Sequence, residues 1–264
     1  MRANRLRELC ANGGAAINGW VQIPSGFAAE VMASQPWDSL TIDMQHGPVD
    51  YQAALAMLQA MSHKDPTPTV RVPWNEPGII MKCLDAGAFG IICPMVNTAA
   101  QAEQFVKTCR YPPKGFRSFG PTRAMLYAGA DYPAHANDSV LTFAMIETEE
   151  AVDNLDGILD TDGLDGVYIG PADLCQSYGA AERVDLKEPA MVAILDKILD
   201  GCKKRNLICG IHTMDPNYAR HCVEKGYQFV TIASDGRLLA GACQAAIKVA
   251  RGETGEGDGA GGPY

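Results

Sequence analysis

No stretch of the 264-residue sequence reaches 18 consecutive apolar residues, so no helical membrane span is expected. The nine cysteines include no Cys-x-x-Cys pair, and their number is odd, which argues against both a zinc cage and a disulfide framework. Cys83, Cys93, Cys209 and Cys222 lie inside apolar runs and read as small buried hydrophobes. A reduced, cytoplasmic protein is expected. Basic residues are scarce, 22 Lys and Arg against 31 Asp and Glu, for a net charge of -9. That balance excludes a dedicated nucleic-acid binder, which neutralises phosphates with clustered Lys and Arg. It does not exclude a small anionic substrate, because one buried arginine outweighs the mean surface potential. The opening MRANRLRELCANGG has no apolar core of the kind a signal peptide needs, so none is expected.

Other absences concern chemistry. No Gly-x-Gly-x-x-Gly follows a strand and no P-loop occurs, so neither a dinucleotide fingerprint nor a nucleotide-phosphate cradle is present. Ser118 and Ser177 lack a nucleophile-elbow context. None of the strands predicted below contains a lysine, which removes a Schiff-base route and steers carbonyl chemistry toward a metal.

What the chain does contain is regular alternation. Short apolar runs at 15–21, 39–43, 67–71, 90–94, 141–147, 166–169, 208–212 and 229–233 read as strands. Between them, stretches such as 51–61, 79–86, 99–110 and 189–205 repeat apolar residues every three or four positions, as helices do. Strand–helix alternation implies parallel strands joined by right-handed crossovers. Eight such units in about 250 residues fit a closed (β/α)8 TIM barrel, with an open doubly wound sheet as the alternative. With 47% hydrophobic residues and no Pro- or Ser-rich linker, one barrel domain is expected over residues 1–251, followed by a Gly-rich flexible tail at 252–264.

Active sites of such barrels lie at the C-terminal ends of the strands. The second run ends in IDMQHGP, supplying Asp43, Gln45 and His46; the third ends at Arg71; the fifth ends at Glu147; and Asp173 lies just past the sixth. Packing alone does not call for apolar strands that end in charge. Glu147 and Asp173, one crossover apart, should come from neighbouring strands about 4.8 Å apart. Two adjacent carboxylates repel unless one is protonated or a cation lies between them. Oxygen donors alone favour Mg²⁺ or Mn²⁺. The competing reading makes each acid the cap of the helix that follows it. Arg71 reads as a clamp for a carboxylate or enolate, or equally as an ion-pair partner of Asp43 or Asp85. Asp43, three residues before His46, could raise its pKa and fix its tautomer for general-base work, although a lone loop histidine is more often a surface residue. Ile169–Ala172 could present backbone N–H groups to an anion. His212, at the end of the seventh run, is a minor candidate, whereas His63, His135 and His221 read as surface residues.

Several segments in the same order resemble the HpcH/HpaI family of class II pyruvate aldolases. They are IDMQHGPVDY, TVRVPWNEPGIIMKCLDAGAFGIICPMV, RYPPKGFRSFG, MIETEEAVDNLDGILDTDGLDGVYIGPADL and GYQFVTIASD. The resemblance runs from about Gly19 to Ala250, and its most specific element is the glutamate and aspartate separated by 25 residues, Glu147 and Asp173. It implies a barrel of the phosphoenolpyruvate/pyruvate-superfamily type that exchanges its last helix between partners in a hexamer, a trimer of dimers. It also implies reversible aldol cleavage of 4-hydroxy-2-oxo acids to pyruvate and an aldehyde through a metal-stabilised enolate, with Mg²⁺, Mn²⁺ or Co²⁺ as cofactor. The family's metal ligands fall on Glu147 and Asp173, its substrate-binding arginine on Arg71 and its catalytic histidine on His46, which acts directly or through a metal-bound water. Asp43 and Asp85 match acids that support the histidine, the second across a subunit boundary. Trp20 matches a pocket aromatic, and Gly170, Pro171 and Ala172 match the segment that receives the substrate carboxylate.

Two positions depart from the heptenedioate aldolases, which carry glutamine where this chain has Met145 and glutamate where it has Gln45. Similar family members with methionine at the first position accept hydroxypyruvate as well as pyruvate. A citramalyl- or malyl-CoA lyase of the same superfamily and a non-catalytic barrel that binds small acids are the competing functions. The partners expected are small 2-oxo acids and aldehydes, with neither nucleic acid nor membrane.

Overall fold

The computed structural model describes residues 1–253, so most of the expected tail lies outside the described residues. Eight parallel strands close into a barrel in chain order: β1 (Ala16–Val21), β2 (Ser39–Asp43), β3 (Thr67–Arg71), β4 (Gly90–Cys93), β5 (Leu141–Ile146), β6 (Gly166–Ile169), β7 (Ile208–Thr213) and β8 (Phe229–Ser234). The eight expected strands are all present, so the doubly wound alternative is excluded. Buried on both faces, they read as continuous apolar runs rather than alternating ones. The outer core is built from the outward-facing strand residues, such as Leu40, Ile42, Val70 and Ile146, against helix residues such as Met57, Leu84 and Ile198.

Inside the barrel, Phe143, Met145, Tyr168, Phe229, Ile92 and Trp20 form a separate apolar cluster. Leu6 and Cys10 of the helix Arg5–Ala11 join it and plug the N-terminal end of the barrel. Beside this cluster runs a buried polar layer. Asn18 donates to the hydroxyls of Thr41 and Thr231, and accepts from Ser39 and Thr41.

The sequence pattern missed two short helices between β4 and β5, Thr122–Ala128 and Tyr132–Ser139. Seven or eight residues are too few to display a helical repeat. They pack a small third core around Phe89, Tyr111 and Tyr132. Arg117 of the RYPPKGFRSFG segment is buried beside it and bonds Tyr132 and Asp85. Among the described residues, no helix is long and apolar enough to cross a membrane.

Candidate active site

At the C-terminal ends of the strands lies a cavity of about 320 Å³. It is lined by Trp20, His46, Arg71, Met145, Glu147, Gly170, Pro171, Ala172, Asp173 and His212, among others. Strand register explains the convergence. Asp43 pairs with Arg71 across β2 and β3, and Met145 and Ile146 pair with Tyr168 and Ile169, so Glu147 follows directly opposite Gly170.

Asp43 is fully buried and organises one side of the site. Its two oxygens accept from Arg71 Nε at 2.8 Å and Arg71 Nη2 at 2.7 Å, from Gln22 Nε2 at 2.7 Å and from Trp20 Nε1 at 3.1 Å. Burial pushes the Asp43 pKa up, but the hydrogen bonds and charge of Arg71, helped by Gln22 and Trp20, outweigh it and hold the carboxyl well below the usual range. The ion pair between Arg71 and Asp43 is therefore real, and it leaves a role for the arginine. With Nε and Nη2 committed, Nη1 has no partner among the described residues, and the side chain lines the cavity. Its guanidinium lies over the Trp20 ring, 4.8 Å from the centroid.

Asp43 does not hold His46 as expected. It accepts from the backbone N–H groups of Gln45 at 3.1 Å and His46 at 3.3 Å, shaping the loop, while its oxygens are taken by other donors. The His46 ring is exposed at the cavity wall. Asp85 is not at the site within this chain. It is the last residue of the helix Pro77–Asp85, which runs back from the end of β3, so it lies toward the opposite end of the barrel, 2.7 Å from Arg117 Nη2.

Glu147 is 1% exposed. Its Oε1 accepts from Met95 N–H at 2.7 Å, whereas Oε2 has no hydrogen-bond partner among the described residues. Met95 has φ of 55°, a left-handed conformation costly for a side-chain-bearing residue, and that turn supplies the N–H that meets the carboxylate. Burial, and then the charge of Asp173, push the Glu147 pKa up to about 7 against the pull of Met95 N–H and Arg71. Neither acid is a helix cap. Thr148 caps the helix after β5, and the helix Pro171–Ser177 has no side-chain cap, with Asp173 in its first turn making no hydrogen bond or ion pair among the described residues. An orphaned, buried carboxylate oxygen beside a second carboxylate is a donor set for a hard cation. Gly170 leaves the opening, since a Cβ there would stand 2.4 Å from Glu147 Oε2. Among the described residues no group of three or more His, Cys, Asp and Glu converges, so two carboxylates are what the protein offers.

Gln22, Met214, Ser234, Val184, Arg237 and Tyr168 also line the cavity and were not singled out from sequence. Gln22 and Ser234 stand at the ends of β1 and β8, where the strand-end rule could have found them. Val184 sits in a loop with no such signal. Its neighbour Asp185, another left-handed residue, accepts from Met214 N–H and Asp215 N–H, both at 2.9 Å, and ties down the loop after β7. Ala233, also left-handed, coincides with a bulge between β1 and β8, after which Trp20 pairs with Ser234.

A profile of the HpcH/HpaI aldolase/citrate lyase family matches residues 19–242. The hydroxypyruvate/pyruvate aldolase of Rhizorhabdus wittichii is 41% identical over 248 residues, covering 94% of this chain and 99% of that protein. The 4-hydroxy-2-oxo-heptane-1,7-dioate aldolase of Salmonella arizonae is 35% identical over 245 residues, 92% of each. Among solved structures, an HpcH/HpaI aldolase/citrate lyase family protein from Burkholderia cenocepacia J2315 superposes with a TM-score of 0.88 at 30% identity, covering 94% of this chain and 100% of that one.

Proposed function

Because the chain belongs to the HpcH/HpaI aldolase/citrate lyase family, we propose that it is a carbon–carbon lyase cleaving and forming 4-hydroxy-2-oxo acids, with pyruvate or hydroxypyruvate and an aldehyde as the other side of the reaction. The observation that carries this reading is the buried Glu147 with a partnerless Oε2, beside Asp173 and facing Arg71 across one cavity.

Glu147 and Asp173 offer only oxygen donors, which suits Mg²⁺ or Mn²⁺, with Co²⁺ a third choice. Such a cation, when bound, supplies a Lewis acid to the carboxylate and ketone of a 2-oxo acid. Arg71, held rigid by Asp43 and Trp20, directs its remaining N–H groups at the ketone oxygen, where charge grows as C3 loses its proton. The uncapped turn at Pro171–Asp173 leaves backbone N–H groups for the substrate carboxylate. His46, on its loop at the wall, moves the proton between C3 and the hydroxyl derived from the aldehyde. Met145 presents a methyl group beside Gly170 and adds no polar contact to the donor.

A homo-oligomer completes the reading. The helix Asp235–Ala250 exposes Leu239, Ile247 and Val249, and exchange of this helix between copies, as in a hexamer, would bury that face. A neighbour's Asp85 would then approach the site. A cytoplasmic location fits the cysteines, all nine of which are free and eight buried.

The test is release of pyruvate from a 4-hydroxy-2-oxo acid, and condensation of pyruvate or hydroxypyruvate with a short aldehyde. Chelator should abolish both, and Mn²⁺ or Mg²⁺ should restore them. Turnover that survives chelation would contradict the metal reading, and binding without turnover would favour a non-catalytic barrel.

A further inference from the structure

We infer that His212 selects a hydroxylated donor: it carries its proton on Nδ1 and offers Nε2 as an acceptor to the C3 hydroxyl of hydroxypyruvate. This rests on the aldolase reading above and adds the residue that separates two donors.

The proton positions follow from a chain of buried hydrogen bonds. Tyr168, fully buried on β6, donates its hydroxyl to Thr231 Oγ1 at 2.6 Å. Thr231 Oγ1 also accepts from Asn18 Nδ2 at 2.8 Å, and the Asn18 amide is oriented by Ser39 and Thr41 hydroxyls that donate to its Oδ1. A phenol has one proton. With that proton given to Thr231, the 3.2 Å contact between Tyr168 and His212 Nδ1 must run the other way, Nδ1–H donating to the phenol oxygen. Burial and then the charge of Arg71 push the His212 pKa down to about 4, with Arg237 adding to them and Asp43 opposing, so the ring is neutral near pH 7. A neutral imidazole has a single N–H, which leaves Nε2 as a lone-pair acceptor.

Nε2 has no partner among the described residues, is not sealed from solvent, and belongs to a ring that lines the cavity. The Trp20 ring meets it edge-on, with centroids 5.0 Å apart, and fixes its plane. The two ends of a 2-oxo acid are engaged from β3, β5 and β6 by Arg71, Glu147 and Asp173. C3 is then left to the remaining wall, made by β7, β8 and β1. On that wall Gln22 gives one amide N–H to Asp43, Met214 is apolar, and Ser234 and Arg237 also line the cavity; Arg237 carries donors only, whereas His212 Nε2 is an acceptor held in a fixed plane. A pyruvate methyl gives Nε2 nothing, whereas a hydroxymethyl donates to it. A site with an acceptor waiting discriminates against the analogue that lacks the hydroxyl.

The experiment compares kcat/KM for hydroxypyruvate and pyruvate, with one aldehyde and one metal, in the wild-type enzyme and in His212→Leu and His212→Gln. The Leu variant should lose about tenfold more on hydroxypyruvate than on pyruvate, the value of one neutral hydrogen bond. The Gln variant, whose carbonyl can accept, should recover part of the loss. Equal losses on both donors, or none, would overturn the assignment while leaving the aldolase reading intact. A wild-type enzyme inactive on both donors would overturn that reading and this one with it. Nitrogen-15 NMR of the wild-type histidines gives a second readout that no folding defect can obscure. A protonated Nδ1 and bare Nε2 are expected at His212, and the opposite tautomer would refute the inference.

Discussion

Glu147→Gln separates a carboxylate kept for a cation from one kept for packing. Burial, first, and the neighbouring Asp173 hold the Glu147 pKa up at about 7, from an ordinary 4.5. The folded protein therefore holds this proton more tightly than the unfolded chain does. The stability this confers is fully present below about 4.5 and is lost as pH rises through about 7. The displacement is worth about 3 kcal/mol in all, of which about 2–3 kcal/mol falls between pH 5 and pH 8. Glutamine keeps the contact from Met95 N–H through its carbonyl and does not ionise. In chelator, denaturant unfolding at the two pH values should show the wild-type protein losing about 2–3 kcal/mol more than the variant as pH rises. Added Mn²⁺ at pH 8 should stabilise the wild-type protein and leave the variant unchanged. Parallel pH profiles, or equal stabilisation of both proteins by metal, would refute the reasoning.

Three further outcomes follow from the geometry. Gly170→Ala needs no unusual backbone, since φ is -97°, but its methyl would crowd Glu147 Oε2; calorimetry should show Mn²⁺ affinity down at least tenfold with melting temperature little changed, on the scale of a lost metal-site contact. Asp43→Asn leaves the buried Arg71 charge poorly matched, and should cost about 3–5 kcal/mol in denaturant unfolding and raise KM for the 2-oxo acid. His46→Asn should lower kcat by about 10²–10⁴-fold without weakening Mn²⁺ binding, because among the described residues the ring makes no hydrogen bond to Glu147, Asp173 or Asp43, which meets His46 only through its backbone N–H; unchanged kcat would remove it from proton transfer.

The barrel was legible because each strand is buried on both faces and stands out as an apolar run against a helical repeat. The site was legible for a related reason: charge at the end of such a run is what packing does not explain, and Arg71, Glu147 and Asp173 all line the cavity. Three things were not legible. Asp43 sits three residues from His46, but spacing could not say that its oxygens go to Arg71, Gln22 and Trp20, nor that only backbone N–H reaches it from the histidine. Met95 supplies a backbone N–H from a left-handed turn, and methionine gives no hint of that conformation. His212 was visible at a strand end, but its proton placement depends on Tyr168, Thr231 and Asn18 from three other strands.

The central claim, that Glu147 and Asp173 hold a cation that makes the C3 proton of a 2-oxo acid removable, is tested most directly without any aldehyde. Proton NMR of pyruvate in deuterium oxide should show its methyl signal lost to exchange when the enzyme and Mg²⁺ are both present. The signal should persist in chelator or with the Glu147→Gln, Asp173→Asn double variant. Exchange that continues in chelator or in the double variant, or no exchange with the wild-type enzyme and metal, would contradict the account.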